Sequence, residues 1–258
     1  MILTVDIGNS AIAIGGFFGD ELKFSSRMAT DRKKTEDEYA ISILSSLRLY
    51  GADKGDITGA IVASVVPPLN SVIRGALKHI LKEEPLFVGP GIKSGIPIQC
   101  DIPSSVGADL IAASVGAHYI YGGPCLIVDM DTVTKMTLVD KRGAFMGTSI
   151  MTGVTMGVDA LAEGTAQLPK ISLDAPCSVI GKNTADSMRS GAIFGNASMV
   201  DGMIDRVKME LGEELRVYAT GEASPLIIPY CNHKIQLDRH LVLKGLNILY
   251  KKNKPHVG

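Results

Sequence analysis

Two aspartates end short apolar runs, and each is followed by small or hydroxylated residues. Asp6 closes Leu3-Thr4-Val5-Asp6 and leads into Gly8, Asn9 and Ser10. Asp129 closes Leu126-Ile127-Val128-Asp129 and leads to Thr132 and Thr134. Backbone N–H groups and hydroxyls presented in this way approach phosphate oxygens, while the carboxylate holds a cation, often through water. Asp-x-Gly-Asn is also an ordinary turn signal, so a single occurrence says little. Asp109, in Gly107-Ala108-Asp109, opens an apolar helical segment. A carboxylate there complements the helix dipole. It is equally placed to accept a hydroxyl proton as a general base. On residue types alone both readings stay open.

The remaining polar candidates point away from metal and disulfide chemistry. His79, His118, His233, His240 and His256 have no ligand spacing. Cys100, Cys125, Cys177 and Cys231 contain no CxxC pair, so free thiols in a reducing cytoplasm are expected.

The two aspartates need strands and turns to hold them. Ile2 to Val5 and Ala11 to Phe18 read as a hairpin, and Leu126 to Asp129 with Thr134 to Val139 as another. Thr35 and Glu38 form a capping box ahead of Tyr39, Ile43, Leu44 and Leu47, with Gly51 as a stop. Ala60 to Val66 and Leu86 to Val88 read as strands, and Leu69 to Leu81 and Val106 to Tyr119 as helices. Farther on come a long helical stretch from Asn183 to Leu211 with breaks at its glycines, a strand at Val217 to Ala219, and a last helix from Leu241 to Tyr250. The two hairpin openings are offset by 129 − 6 = 123 residues, close to half of 258. The sequence therefore predicts an α/β fold of two similar halves with a cleft between them. Tyr121-Gly122-Gly123-Pro124 is the natural boundary, giving an N-terminal half 1–121 and a C-terminal half 122–258.

Composition weighs against several classes. A net charge of −1 argues against a general nucleic-acid binder. No run approaches 18 apolar residues, so no membrane span is expected. The start lacks a basic n-region and Asp6 interrupts its apolar run, so no signal peptide is expected either. Glycine is 28 of 258 without a collagen-like period, which points to tight turns or close backbone approach.

An ordered set of short motifs resembles the type III pantothenate kinases over essentially the whole chain. These are Asp6-Ile7-Gly8-Asn9-Ser10, Thr30-Asp31-Arg32, Thr35-Glu36-Asp37-Glu38-Tyr39, Ser64-Val65-Val66-Pro67-Pro68, Val88-Gly89-Pro90-Gly91, Gly107-Ala108-Asp109, Ala166-Gln167-Leu168-Pro169 and Gly181-Lys182-Asn183-Thr184. The resemblance implies two ribonuclease-H-like halves of the actin and sugar-kinase superfamily. It implies ATP-dependent phosphorylation of pantothenate, the first step of coenzyme A synthesis, in the cytoplasm. By it Asp109 is the base for the pantothenate hydroxyl, and Gly107, Ala108, Leu110 and Thr184 belong to the substrate site. Asp6, Gly8, Asn9, Ser10, Thr132 and Gly221 belong to the ATP site. Asp129 holds a monovalent cation, potassium or ammonium, and a divalent cation, Mg2+, accompanies the nucleotide. Thr184 reaches pantothenate across a homodimer interface.

Five residues depart from the family pattern. Asp131 stands where the second phosphate motif has glycine, which adds repulsion toward phosphate of about 1 kcal/mol at 4 Å even in water. Lys135 stands near it, placed to offset that charge or to pair with Asp131. Leu110 replaces an arginine, Cys100 a tyrosine, and Glu222 the second glycine after Thr220. Two expectations follow. One is a working kinase with a remodelled site. The alternative is an impaired paralogue that binds, regulates or joins an unaltered family member as a heteromer.

Overall fold

The structure, a computed structural model, describes residues 1–176 and 178–254; Cys177, His256 and the end of the basic tail lie outside them. The chain divides into two compact units, Met1–Tyr121 with the chain from His240, and Gly122–Arg239.

The first unit is built on β1 (Ile2–Ile7), β2 (Ala11–Phe18) and β3 (Glu21–Ala29), which run as an antiparallel meander. α1 (Glu36–Leu49) follows, then β4 (Gly59–Ser64), α2 (Leu69–Lys78), the short β5 (Leu86–Phe87) and α3 (Ala108–Tyr121). β4 and β5 add in parallel, giving the order β3-β2-β1-β4-β5. Alternation along β1 sends Leu3, Val5 and Ile7 to a core shared with Tyr39, Ile43 and Leu47 of α1 and Ile73 and Leu77 of α2. The capping box forms as the sequence predicts: Thr35 N–H donates to Glu38 Oε2 at 2.8 Å, and Glu38 N–H to Thr35 Oγ1 at 3.3 Å. Two orphan donors of the first turn are thereby satisfied.

The second unit repeats this plan. β6 (Cys125–Met130), β7 (Val133–Val139) and β8 (Phe145–Thr152) form the meander. α4 (Val154–Gly164), α5 (Thr184–Ser190) and α6 (Asn196–Leu211) supply the helical layer, with a π-type turn at Gly191–Gly195 joining the last two. Gly191 and Gly195 thus bound an irregular turn in the long helical stretch, as the sequence predicts, whereas Gly202 sits inside α6 without a break. β9 (Arg216–Thr220), α7 (Ser224–Ile227) and β10 (Ile235–Leu237) complete the unit, in the order β10-β9-β6-β7-β8. Read from the other edge, that order is β8-β7-β6-β9-β10. It reproduces the first sheet strand for strand, with the same parallel and antiparallel pairings. Leu126, Val128 and Met130 face the core with Val154, Ile193, Val200 and Ile204.

α8 (Leu241–Asn253) does not stay with the half that precedes it. It packs in the first unit, against α3 and the sheet. The reason is a close glycine crossing: a Cβ on Gly245 would overlap the Ala112 carbonyl, and one on Gly116 would sit 2.7 Å from the Leu241 carbonyl oxygen. Chain order places residues 240–254 with the second half; packing returns them to the first. No helix among the described residues is long and apolar enough to cross a membrane.

Candidate functional site

In the first unit, Asp6 is half-buried near the end of β1, opposite Ala13 on β2 and Ala63 on β4. The turn after it is tight. Gly8 N–H donates to the Ala11 carbonyl at 3.0 Å, and a Cβ on Gly8 would lie only 3.0 Å from that oxygen. Thr30, the residue after β3, fastens the turn: its hydroxyl donates to the Gly8 carbonyl at 2.7 Å and its N–H to the Ser10 carbonyl at 3.1 Å. Arg32 donates to Asn9 Oδ1 at 3.2 Å. Buried Tyr39 then anchors the next residue, exchanging hydrogen bonds with the Asp31 backbone at 2.8 and 3.0 Å. Asn9 and Ser10 are left exposed on a turn whose backbone is held. Sequence reasoning names Thr30, Asp31 and Arg32 only as a motif; their work is to fix this turn.

Asp109 lies in the first turn of α3 and is 7% exposed. Its carboxylate folds back over Gly107, where a Cβ would stand 2.5 Å from Asp109 Oδ1. Glycine at 107 is therefore the condition for this rotamer. Residues 108–117 are all buried, so the helix that carries Asp109 is embedded over most of its length. Leu110 is buried beside it, and Cys100 is half-buried.

In the second unit the structure gathers several predicted residues around the β6–β7 hairpin. Asp129 is 6% exposed, and the sheet register sets it directly across from Lys135 and beside Thr220. Lys135 Nζ lies 2.7 Å from Asp129 Oδ2. Asp131 N–H closes the turn on the Val133 carbonyl at 3.3 Å, and Asp131 Oδ1 accepts from Glu222 N–H at 3.0 Å. Gly221 has φ +90°, a left-handed region that disfavours side chains, and a Cβ there would lie 2.6 Å from the Met130 backbone. Ala223 N–H donates to the Met130 carbonyl at 2.9 Å, tying the end of β9 to this hairpin. Gly153 escapes sequence reasoning. A Cβ there would overlap the Thr132 carbonyl oxygen and lie 2.6 Å from that of Asp131. The sequence offers no signal for it, because the strand and helix that flank it, β8 and α4, are themselves not read from the sequence.

Thr184 belongs to the helical layer of this unit. It is the first residue of α5, exposed, after the N-cap Asn183, whose Oδ1 accepts from Asp186 N–H at 2.9 Å. It lines a hollow of about 390 Å³ with Val158, Leu161, Leu168, Ser187 and Met188. Gly181 lies against α5, where a Cβ would overlap the Ser187 nitrogen. Among the described residues, no three His, Cys, Asp or Glu side chains gather as a metal site.

Comparison with known proteins bears on the family and on the fold. A profile of the type III pantothenate kinase family matches residues 2–206. The chain is 39% identical to the type III pantothenate kinase of Moorella thermoacetica, covering 98% of this chain and all of that one. It is 38% identical to that of Brevibacillus brevis, covering 98% and 99%. Among solved structures it resembles the activator of 2-hydroxyisocaproyl-CoA dehydratase from Clostridium difficile, determined with bound ADPNP, at a TM-score of 0.55, 14% identity and 96% and 93% coverage. It also resembles the ROK hexokinase of Thermus thermophilus at a TM-score of 0.51, 12% identity and 98% and 99% coverage. At this level of identity these two likenesses speak for the fold alone. The duplicated sheets, the paired aspartate hairpins and the full-length match lead to one conclusion: the chain belongs to the type III pantothenate kinase family.

Proposed function

We infer that the chain phosphorylates pantothenate with ATP, the first step of coenzyme A biosynthesis. The observation that carries this is Asp109, a nearly buried carboxylate in the first turn of α3 over a glycine that leaves it room. The pantothenate hydroxyl gives its proton to Asp109 as its oxygen bonds to the γ-phosphorus. The bond to the β-phosphate oxygen breaks, and ADP leaves with its divalent cation, Mg2+. Phosphoryl transfer asks the protein mainly for positioning and charge neutralisation. Within the first unit Asp6, Gly8, Asn9 and Ser10 supply a held turn for nucleotide phosphates; within the second, Thr132 and Gly221 are the residues that serve the nucleotide. Gly107, Ala108 and Leu110 take up pantothenate beside Asp109, with Leu110 offering apolar contact in place of a guanidinium. Thr184 completes that site from the partner in a homodimer, and Asp129 fixes one positive charge. The setting is cytoplasmic.

The test is direct. The purified chain is assayed for pantothenate-dependent release of ADP, and Asp109→Asn is assayed beside it. Removing a general base costs about 10²–10⁴-fold in rate, with ATP binding retained. A wild-type chain that binds ATP but turns over no pantothenate in any salt contradicts the reading.

A further inference from the structure

We propose that Lys135 is a built-in cation: its ammonium takes the place that a soluble monovalent cation would occupy at Asp129, and the chain works without potassium or ammonium. The inference rests on the kinase reading and deepens it at one carboxylate.

The geometry carries it. Lys135 Nζ is 2.7 Å from Asp129 Oδ2, and the two side chains are only 13% and 8% exposed. An ammonium at that distance makes a charge-assisted hydrogen bond and supplies one positive charge. A second monovalent ion on the same carboxylate would meet the ammonium at close range in a poorly hydrated place, where like charges repel strongly. The residues present therefore do not fit a free cation there. Lys135 is also held in position: it lies directly across from Asp129 in the β6–β7 register, on a strand paired on both sides.

The duplicated fold shows that the architecture does not demand this lysine. Asp6 occupies the corresponding site in the first unit, and its partner across the hairpin is Ala13. Its neighbour on the parallel strand is Ala63, where Asp129 has Thr220. Two hairpins of one plan thus bring an aspartate to the same place, and the residue directly across the hairpin is alanine in one and lysine in the other. A buried pair is also seldom kept for stability, since desolvation offsets most of its attraction.

The experiment compares potassium, ammonium and choline chloride at equal ionic strength, for wild type, Lys135→Thr and the double variant Asp129→Asn/Lys135→Thr. Three quantities are read: ATP binding by calorimetry, the thermal midpoint and pantothenate turnover. For wild type, all three salts are expected to agree within about twofold in affinity and rate. Lys135→Thr is expected to weaken about tenfold or more in choline. Potassium or ammonium should then restore it, with a midpoint about 4 °C above that in choline. The double variant, with no charge left to answer, should ignore the cation. A wild type whose ATP binding needs potassium or ammonium overturns the proposal, as does a Lys135→Thr that folds and is indifferent to the salt. If Lys135→Thr folds only in potassium or ammonium, that too is support. If it folds in no salt, the wild-type comparison decides. Absence of pantothenate turnover in every salt would count against the kinase reading alone, because the binding and thermal measurements still report on Lys135.

Discussion

Glu222 N–H donates to Asp131 Oδ1 at 3.0 Å, joining two positions that are 91 residues apart. Both stand where the family resemblance expects glycine. They are in this sense one change: the carboxylate introduced at 131 takes the backbone donor offered at 222. Nearby, Gly221 keeps its left-handed conformation against Met130, so the close approach of β9 to the hairpin survives the substitution beside it.

The pair makes a prediction with two signs. Asp131→Gly removes the acceptor of a largely exposed hydrogen bond, which should lower stability by about 1 kcal/mol, or about 2–4 °C in thermal midpoint. It also removes a negative charge from the proposed phosphate site, so ATP should bind about fivefold tighter, from a repulsion of about 1 kcal/mol at 4 Å. Melting curves and calorimetric titration on the same protein check both. Weaker ATP binding would mean that Asp131 supports the nucleotide instead of repelling it.

Gly107→Ala tests the Asp109 rotamer. A methyl 2.5 Å from Asp109 Oδ1 must displace the carboxylate. A displacement of about 1 Å at a catalytic group can cost about 10²-fold. We expect turnover to fall by that order while ATP affinity holds. Equal losses of turnover and of ATP affinity would point to general damage to the unit.

Gly221→Ala tests the backbone approach. The left-handed φ and the Met130 contact should each resist a side chain, with a combined loss of about 2–4 kcal/mol in urea unfolding. Glu222→Ala keeps the N–H and should change stability by less than about 0.5 kcal/mol. Similar losses in the two variants would contradict the geometry.

Thiol chemistry gives a pH test. Burial pushes the Cys125 thiol up to about 12, against a weaker opposing pull from Arg216. Burial, aided by Asp201, pushes Cys231 to about 12 as well. Raised values mean that the folded state keeps these protons while an unfolded thiol loses its own near 8.5. Their contribution to stability is therefore whole below about pH 8.5 and declines between there and about 12. At pH 8 both should react with iodoacetamide far more slowly in the folded protein than in urea, as peptide mass mapping can measure. Fast folded-state labelling of Cys125 would be the contrary result.

The sequence displays some of this architecture openly and hides the rest for physical reasons. Asp6 and Asp129 announce themselves because buried central strands are continuous apolar runs ended by a turn. The capping box of α1 is equally local and forms as predicted. β3 and β8 are not foreseen, since each is an edge strand with one side wet, and their residues alternate between exposed and half-buried over most of their length. The returning α8 is invisible in chain order, because its glycine crossing with α3 depends on a partner more than 100 residues away. The Lys135–Asp129 pair is legible only once the hairpin register is known: a register one residue different would send the lysine to the other face. Gly153 carries no motif at all, and its role appears only where Thr132 and Asp131 approach it.

The return of α8 also sets an order of events during synthesis. Residues 122–239 form one continuous stretch, so the second unit has everything it needs as soon as residue 239 has left the ribosome. The first unit, although made earlier, waits for α8 to cover α3 and the sheet. Until then Ala112, Gly116 and their neighbours present an uncovered apolar face. The part of the protein translated first is the part finished last, and the nascent chain holds Asp109 on an incompletely packed helix until then.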